Sequence, residues 1–216
     1  MATSAQHGSP LDLVSAARAG GVEDVRVLEA IAAVPRADFV PQELAVHAYE
    51  DRPLPIPHAQ VTTQPSLVAA MVAALELSSS DRVLEIGTGF GWQTALLAHL
   101  AGEVWSIERW EDIARVARRH LERHGVENAT VIVGDGSKGL AEHAPYDAVL
   151  VAAAFPEVPA PLAEQLADHG RIVQPIGLGG AEEVVLFEKP AAVLMRKRRV
   201  TLAHFVRLYG EHGFAP

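Results

Sequence analysis

The sequence predicts an α/β protein: a Rossmann-like, doubly wound, mostly parallel sheet of seven strands with an antiparallel C-terminal edge, preceded by an N-terminal helical extension. Three observations predict it. Short apolar runs alternate with helical patterns from residue 83 to residue 173, and such alternation implies parallel strands joined by right-handed crossovers. The first run, Val83-Leu84-Glu85-Ile86, feeds the glycine-punctuated turn Gly87-Thr88-Gly89-Phe90-Gly91 and then a helix over Trp92 to Leu100. The last runs are joined without a convincing helix, which makes them antiparallel neighbours.

Residues 1–10 read as a disordered tail. The extension spans 11–77. Val14 to Ala19 is helical until Gly20-Gly21. Val22 to Ala33 repeats apolar residues at helical spacing, and Pro35 closes it. Pro41, Pro53 and Pro55 keep 38–56 irregular, with Asp51 to Ile56 extended. Ser66 to Leu77 returns to a helical pattern that Thr63 is placed to cap, with Pro65 in its first turn.

The core spans 78–216. After the first strand come apolar runs at Val104 to Ile107, Thr130 to Val133, Tyr146 to Val151, Arg171 to Val173 and Val184 to Phe187, with His204 to Leu208 as the seventh. A charged amphipathic helix, Trp110 to His124, joins the second and third strands, and Asp81 and Asp147 read as turn or cap residues.

Composition narrows the function. The chain has 216 residues, 49% hydrophobic and 21% charged, which suits one globular domain. Its net charge of −9 argues against a general binder of nucleic-acid backbone. The absence of cysteine excludes disulfides, thiolate nucleophiles and Cys-ligated zinc. There is no run of 18 apolar residues and no signal-type core near Met1, so no membrane partner is expected and the chain reads as cytoplasmic.

The three strand ends carry the chemistry. A dinucleotide fingerprint counted from Gly87 needs glycine at 92, where Trp92 stands. Glu108 ends the second run, 21 residues after Gly87 (108 − 87), where an acid that binds ribose hydroxyls belongs. Asp135-Gly136 ends the third. Together these outline a pocket for an adenosine without a pyrophosphate, which S-adenosylmethionine fits better than a dinucleotide does. Trp92 and Phe90 read equally as walls for the methionine moiety or as core. His120 and His124, spaced i, i+4, are read as a solvated helix face rather than metal ligands, and no metal is expected. The basic run Arg196-Lys197-Arg198-Arg199 reads as a hairpin surface.

Several further segments resemble one family, the protein-L-isoaspartate (D-aspartate) O-methyltransferases. They are Val34-Pro35-Arg36 with Phe39-Val40-Pro41, Tyr49-Glu50-Asp51 running into Pro53-Leu54-Pro55-Ile56, and Gln64-Pro65. To these are added Glu85 to Gly91 with Gln93-Thr94, Ser106-Ile107-Glu108, Val133 to Gly136, Ala144 to Asp147, and Pro156 to Pro159. The resemblance implies transfer of a methyl group from S-adenosylmethionine to the free α-carboxyl of L-isoaspartyl residues, and more weakly to D-aspartyl side chains, as the first step of protein repair; S-adenosyl-L-homocysteine is the product. It implies cofactor contacts at Glu85, Gly87, Thr88, Gly89, Gly91, Glu108, Asp135 and Gly136, and an active-site hydroxyl at Thr63. Thr62 and His58 are expected beside the substrate, isoaspartyl-containing peptides and proteins are the expected partners, and the chain is expected to act as a monomer. The sequence departs from the family pattern where Thr63 replaces serine and where Pro57 and Ala59 flank His58 in place of glycines. Ala152-Ala153-Ala154-Phe155 also replaces a run that usually opens on Thr or Ser, with Phe155 expected near the active-site rim.

A carboxylate with a pKa near 4 is ionised at neutral pH and needs no general base to attack. The protein has only to align it, and hydroxyls with backbone N–H groups near Thr62 and Thr63 can hold an anion without protonating it. Asn/Asp-Pro-Pro-aromatic, the mark of nucleic-acid amino-methyltransferases, is absent where Ala152 to Phe155 stands. Two alternatives remain at this stage: the same framework acting on another peptide carboxylate, and a catalytically silent cofactor-binding protein.

Overall fold

In the computed structural model, which describes residues 8–215, helices α1 (Pro10–Ala19), α2 (Val25–Ala33) and α3 (Pro65–Ala74) and the small antiparallel hairpin β1 (Leu54–Ile56) and β2 (Gln60–Thr62) make up the extension. The core follows as β3 (Arg82–Ile86), α4 (Trp92–Leu100), β4 (Glu103–Glu108), α5 (Glu111–Arg123), β5 (Ala129–Val133), β6 (Tyr146–Val151), α6 (Ala160–Glu164), β7 (Leu166–Ile176), β8 (Glu182–Glu188) and β9 (Met195–Ala203). The seven-stranded sheet has the order β5-β4-β3-β6-β7-β8-β9. Its first five members are parallel, and β8 turns back on β7, then β9 on β8, as expected.

Alternation along the strands decides which layer each residue serves. Val83, Ala148, Leu150 and Val173 face a core shared with α1, α2, α3 and α4, whereas Leu84, Ile86, Val149, Val151 and Ile172 face a second core on the opposite side of the sheet. The strand order reverses at β3, which has β4 on one side and β6 on the other. Ligands bind outside the carboxyl ends of the strands at such a reversal. The glycine turn leaves β3 there.

Four expectations need correction. The tail does not extend to residue 10: Ser9 donates its N–H to Asp12 Oδ2 at 2.6 Å and Pro10 opens α1, while residues 1–7 of the expected tail lie outside the described residues. The seventh strand is Met195–Ala203, not His204 to Leu208. The sequence hides it because Arg196, Lys197 and Arg199 interrupt the apolar pattern, yet on an edge strand they pair across to Glu183 and Glu188 of β8. The basic run is thus the hairpin surface it was expected to be. Residues 204–208 instead run beside the segment that follows β6, meeting it in one isolated bridge, Ala154 to Arg207.

Thr63 does not cap α3 either; Gln64 stands at that position, extended ahead of Pro65. The helix start is served from a distance, since Asp51 Oδ1 accepts the Ser66 N–H at 2.8 Å. Finally, the face bearing His120 and His124 is solvated only in part: His124 is exposed, but His120 is half-buried. His120 Nδ1 lies 3.0 Å from the Phe90 carbonyl, His124 pairs with Asp38, and both rings pack on Phe39.

Candidate active site

The glycine turn takes its shape from positive φ angles at Gly87 (96°), Gly89 (55°) and Gly91 (95°), a region that costs other residues dearly. A Cβ on Gly89 would meet only Ile56 Cδ1, at 3.9 Å, so the space beside the turn is open. A Cβ on Gly136 would fall 2.4 Å from Ile86 Cγ2, so that glycine is fixed by close packing. Between the turn and the β1–β2 hairpin lies a cleft with about 940 Å³ of empty space, its mouth included. Ile86 to Gln93, Ile107 to Arg109, Gly136, Ala152 and Ala153 line one part of it. Gln60 to Thr63 and Val206 to Tyr209 line another, and Phe39, Ile56, Val68 and Ile113 complete the wall.

Glu108 is buried at the cleft wall. Its Oε2 accepts the Gly89 N–H at 3.0 Å and its Oε1 accepts the Trp110 N–H at 3.1 Å. Burial pushes its pKa up, against the pull of those backbone donors. The geometry ties the acid of β4 to the glycine turn of β3 and leaves carboxylate lone pairs for other donors.

Glu85 has a different place. It is fully buried and does not line the cleft. It accepts from Gln93 Nε2 (2.8 Å), Thr94 Oγ1 (2.5 Å) and Ser106 Oγ (2.5 Å). Because the Ser106 proton is spent on Glu85, the Thr88 hydroxyl donates to Ser106 Oγ at 2.5 Å. A buried carboxylate thus sits behind the glycine turn and holds the start of α4 against β3 and β4. Burial raises its carboxyl to about 7, although all three donors oppose this.

Asp135 also stands apart from the lining. Its Oδ1 accepts from Ser137 N–H (2.9 Å) and Oγ (2.6 Å), and its Oδ2 accepts the Glu211 N–H at 2.8 Å. Burial alone would raise its pKa, but the Ser137 and Glu211 donors outweigh it and hold the group below its ordinary value. Of the acids expected at the three strand ends, Glu108 faces the cleft, and Glu85 and Asp135 brace its walls.

On the opposite side, the turn Pro57-His58-Ala59-Gln60 closes with a Gln60 N–H to Pro57 O bond of 3.2 Å, with His58 and Ala59 both left-handed (φ 61° and 55°). His58 does not line the cleft. It stacks on Trp110 (centroids 3.9 Å apart, planes 4° apart) and its Nε2 lies 2.9 Å from Asp112 Oδ2, joining the hairpin to the start of α5. Thr62 and Thr63 both line the cleft. Thr62 Oγ1 accepts from Arg36 Nη2 at 2.8 Å and from the Leu54 N–H at 3.3 Å, so both lone pairs are used and its proton is left to donate. The Thr63 hydroxyl makes no hydrogen bond among the described residues, and its carbonyl accepts from Arg36.

Sequence reasoning gave no role in the site to Arg36, Arg109 or 206–209. Arg36 is fully buried and donates to the carbonyls of Ala48, Glu50, Arg52 and Thr63 as well as to Thr62. Burial draws its pKa down to about 10, which leaves it charged at neutral pH. Trp92 and Phe90 prove to be both core and wall: each is buried, and each lines the cleft. Phe155 packs edge-on against Phe214 and does not line the cleft.

The open glycine turn, the apolar walls and the carboxylate of Glu108 at the cleft wall fit an adenosine bearing a short charged chain. Fold and cleft together define a class I, S-adenosylmethionine-dependent methyltransferase. Comparison with known proteins narrows the class. The family model for protein-L-isoaspartate(D-aspartate) O-methyltransferase matches residues 10–213. The chain is 46% identical over 199 residues to the protein-L-isoaspartate O-methyltransferase of Koribacter versatilis, covering 92% of this chain and 89% of that one. It is 49% identical over 199 residues to that of Methanoculleus marisnigri, at 91% and 89% coverage. A solved protein-L-isoaspartate O-methyltransferase superposes with a TM-score of 0.81 at 30% identity, covering 94% of this chain and 67% of the other. A Plasmodium falciparum structure with S-adenosyl-L-homocysteine bound shares the fold, with a TM-score of 0.76 at 20% identity over 93% and 97% of the two chains. The chain belongs to the protein-L-isoaspartate(D-aspartate) O-methyltransferase family.

Proposed function

We propose that the enzyme methylates the free α-carboxyl of L-isoaspartyl residues, and more weakly the side chain of D-aspartyl residues, in damaged proteins and peptides. S-adenosylmethionine, when bound, supplies an electrophilic methyl group on a sulfonium. Glu108 and the turn Gly87 to Gly91 are the residues to hold it, with Thr88 and Gly136 beside them; Glu85 and Asp135 support them from behind. The observation that carries the reading is that Thr62 and Thr63 share one cleft with the glycine turn and Glu108.

The chemistry asks little more of the chain. An isoaspartyl carboxylate arrives ionised, so no base is needed. The free proton of Thr62 and the unspent hydroxyl of Thr63 are neutral donors that orient the anion without taking up its charge. Arg36 stands one bond behind Thr62, so its positive charge strengthens that donor while the guanidinium itself stays out of reach. His58 contributes by fixing the hairpin through Trp110 and Asp112. We take the enzyme to work as a monomer in the cytoplasm, on peptides and proteins and not on nucleic acid, in keeping with its net charge of −9; no helix among the described residues is long and apolar enough to cross a membrane.

The test is methyl transfer from radiolabelled S-adenosylmethionine to matched peptides that differ only in carrying isoaspartate, aspartate or D-aspartate. Base-labile label on the isoaspartyl peptide, weaker on the D-aspartyl one and absent from the aspartyl one, is expected. Label on the aspartyl peptide alone, or on none while cofactor binding persists, would overturn the reading.

A further inference from the structure

We propose that the rim of the cleft carries a subsite for a second anion, an acidic side chain close in sequence to the residue being methylated, and that Arg109 and Arg207 form it. This deepens the proposed function and rests on it.

A chain of cation–ring and ring–ring contacts runs along the rim. Arg109 Cζ lies 5.1 Å from the ring centre of Trp110 and 5.2 Å from that of Tyr209. Tyr209 contacts Phe214 at 6.4 Å between centroids, and Arg207 Cζ lies 5.0 Å over Phe214. Both arginines line the cleft and both are exposed. Neither has a carboxylate within 4.0 Å among the described residues. Arg207 spends only Nε, on the Leu178 carbonyl at 3.1 Å, and the Arg109 guanidinium makes no hydrogen bond among the described residues.

The acids close by are already engaged. Asp112 faces His58, Glu211 takes Lys138 at 2.7 Å, Asp135 takes Ser137 and the Glu211 N–H, and Glu108 takes two backbone donors. Two guanidinium groups held over aromatic rings have therefore lost part of their freedom without gaining a salt-bridge partner among the described residues. That is the arrangement of a preorganised carboxylate site.

The reacting carboxylate is not its occupant. A guanidinium paired with that group would draw off the charge that attacks, and Thr62 and Thr63 offer neutral donors instead. The second anion is assigned to the same peptide; the cofactor's own carboxylate is the rival occupant, which the cofactor Kd in the arginine variants distinguishes. Long-range attraction does not explain a preference for it, because a chain of net charge −9 repels acidic peptides at a distance. Any preference has to arise from these two side chains.

The test uses four isoaspartyl peptides. Three are C-terminally amidated and carry Glu, Gln or Lys in the residues after the isoaspartate; the fourth carries Gln and a free terminal carboxylate. With the wild-type enzyme, kcat/KM is expected to be about three- to tenfold higher for the Glu peptide than for the Gln peptide, through KM, with the Lys peptide lowest. R109Q and R207Q should each shrink the Glu-to-Gln ratio, and the double variant should bring it near one, with the Kd for S-adenosylmethionine unchanged. A rise for the free-carboxylate peptide that equals that of the Glu peptide would show that a chain end fills the same site. A wild-type ratio of one, a ratio that survives in the double variant, or a weakened cofactor Kd in R109Q would overturn the assignment. Methylation of the amidated Gln peptide tests the activity itself separately. If it is labelled and the ratio is one, only the subsite fails.

Discussion

Arg36 Nη2 donates to Thr62 Oγ1 across 2.8 Å, and through this contact a fully buried cation of the N-terminal extension sets the strand that faces the glycine turn. The same guanidinium serves the carbonyls of Ala48, Glu50, Arg52 and Thr63, so a single side chain ties the 48–52 segment to the end of β2. Replacing it leaves several buried acceptors unpaired. Arg36→Met is expected to lower unfolding free energy by about 3 kcal/mol or more, read from the urea midpoint at constant m. A loss below about 1 kcal/mol would mean that water or neighbouring groups satisfy those carbonyls.

Glu85 gives stability a pH dependence that can be isolated. Its ordinary value is 4.5 and burial raises it to about 7 in the folded chain, against the donors Ser106, Thr94 and Gln93. Between those values the folded protein keeps a proton that the unfolded chain has released. The group's contribution is therefore fullest below pH 4.5, falls as pH rises through the window, and is flat above about 7. In Glu85→Gln this slope should vanish, so the wild-type-minus-variant difference should change by about 3 kcal/mol between the two ends. Parallel profiles would show that Glu85 is ionised throughout.

The hairpin turn carries strain that can be relieved. Ala59 is left-handed at φ 55°, which costs an L residue about 1–2 kcal/mol, whereas glycine loses about 0.5–1 kcal/mol more in chain entropy. Ala59→Gly should thus stabilise by up to about 1 kcal/mol, visible as a small rise in Tm. A fall in Tm would show that the alanine methyl packs usefully.

Much of this was legible in advance, and the exceptions share a cause. The strands β3 to β6 and helix α4 follow from period and length because buried parallel strands are short apolar runs between glycine or charge. Residues whose importance lies in contacts distant in sequence were not legible. Arg36 reads in sequence only as part of the family-like segment Val34-Pro35-Arg36, and nothing local shows that its acceptors lie up to 27 positions downstream. Asp135 stood where a ligand acid belongs, but its carboxylate is taken by the N–H of Glu211, 76 positions away. Arg207 falls in the segment His204 to Leu208, which reads as a strand because it is apolar-flanked and follows a sheet, until the edge is seen to be held by Met195–Ala203; Tyr209 lies just beyond that segment.

Glu108 is expected to govern cofactor affinity. Glu108→Ala removes the acceptor for the Gly89 N–H and leaves the turn unsupported. The Kd for S-adenosylmethionine, by titration calorimetry, should rise about ten- to a hundredfold, while Glu108→Asp recovers part of the loss. An unchanged Kd would place the cofactor elsewhere.

The most direct measurement pairs cofactor Kd with single-turnover rate on an isoaspartyl peptide in Thr63→Ala and Thr63→Ser. With the donor on the glycine turn and the substrate anion at the threonines, Thr63→Ala should bind S-adenosylmethionine as wild type does yet transfer methyl at least about tenfold more slowly, and Thr63→Ser should stay near wild type. A Thr63→Ala rate within about twofold of wild type would contradict the account, because the Thr63 hydroxyl would then play no part in aligning the carboxylate.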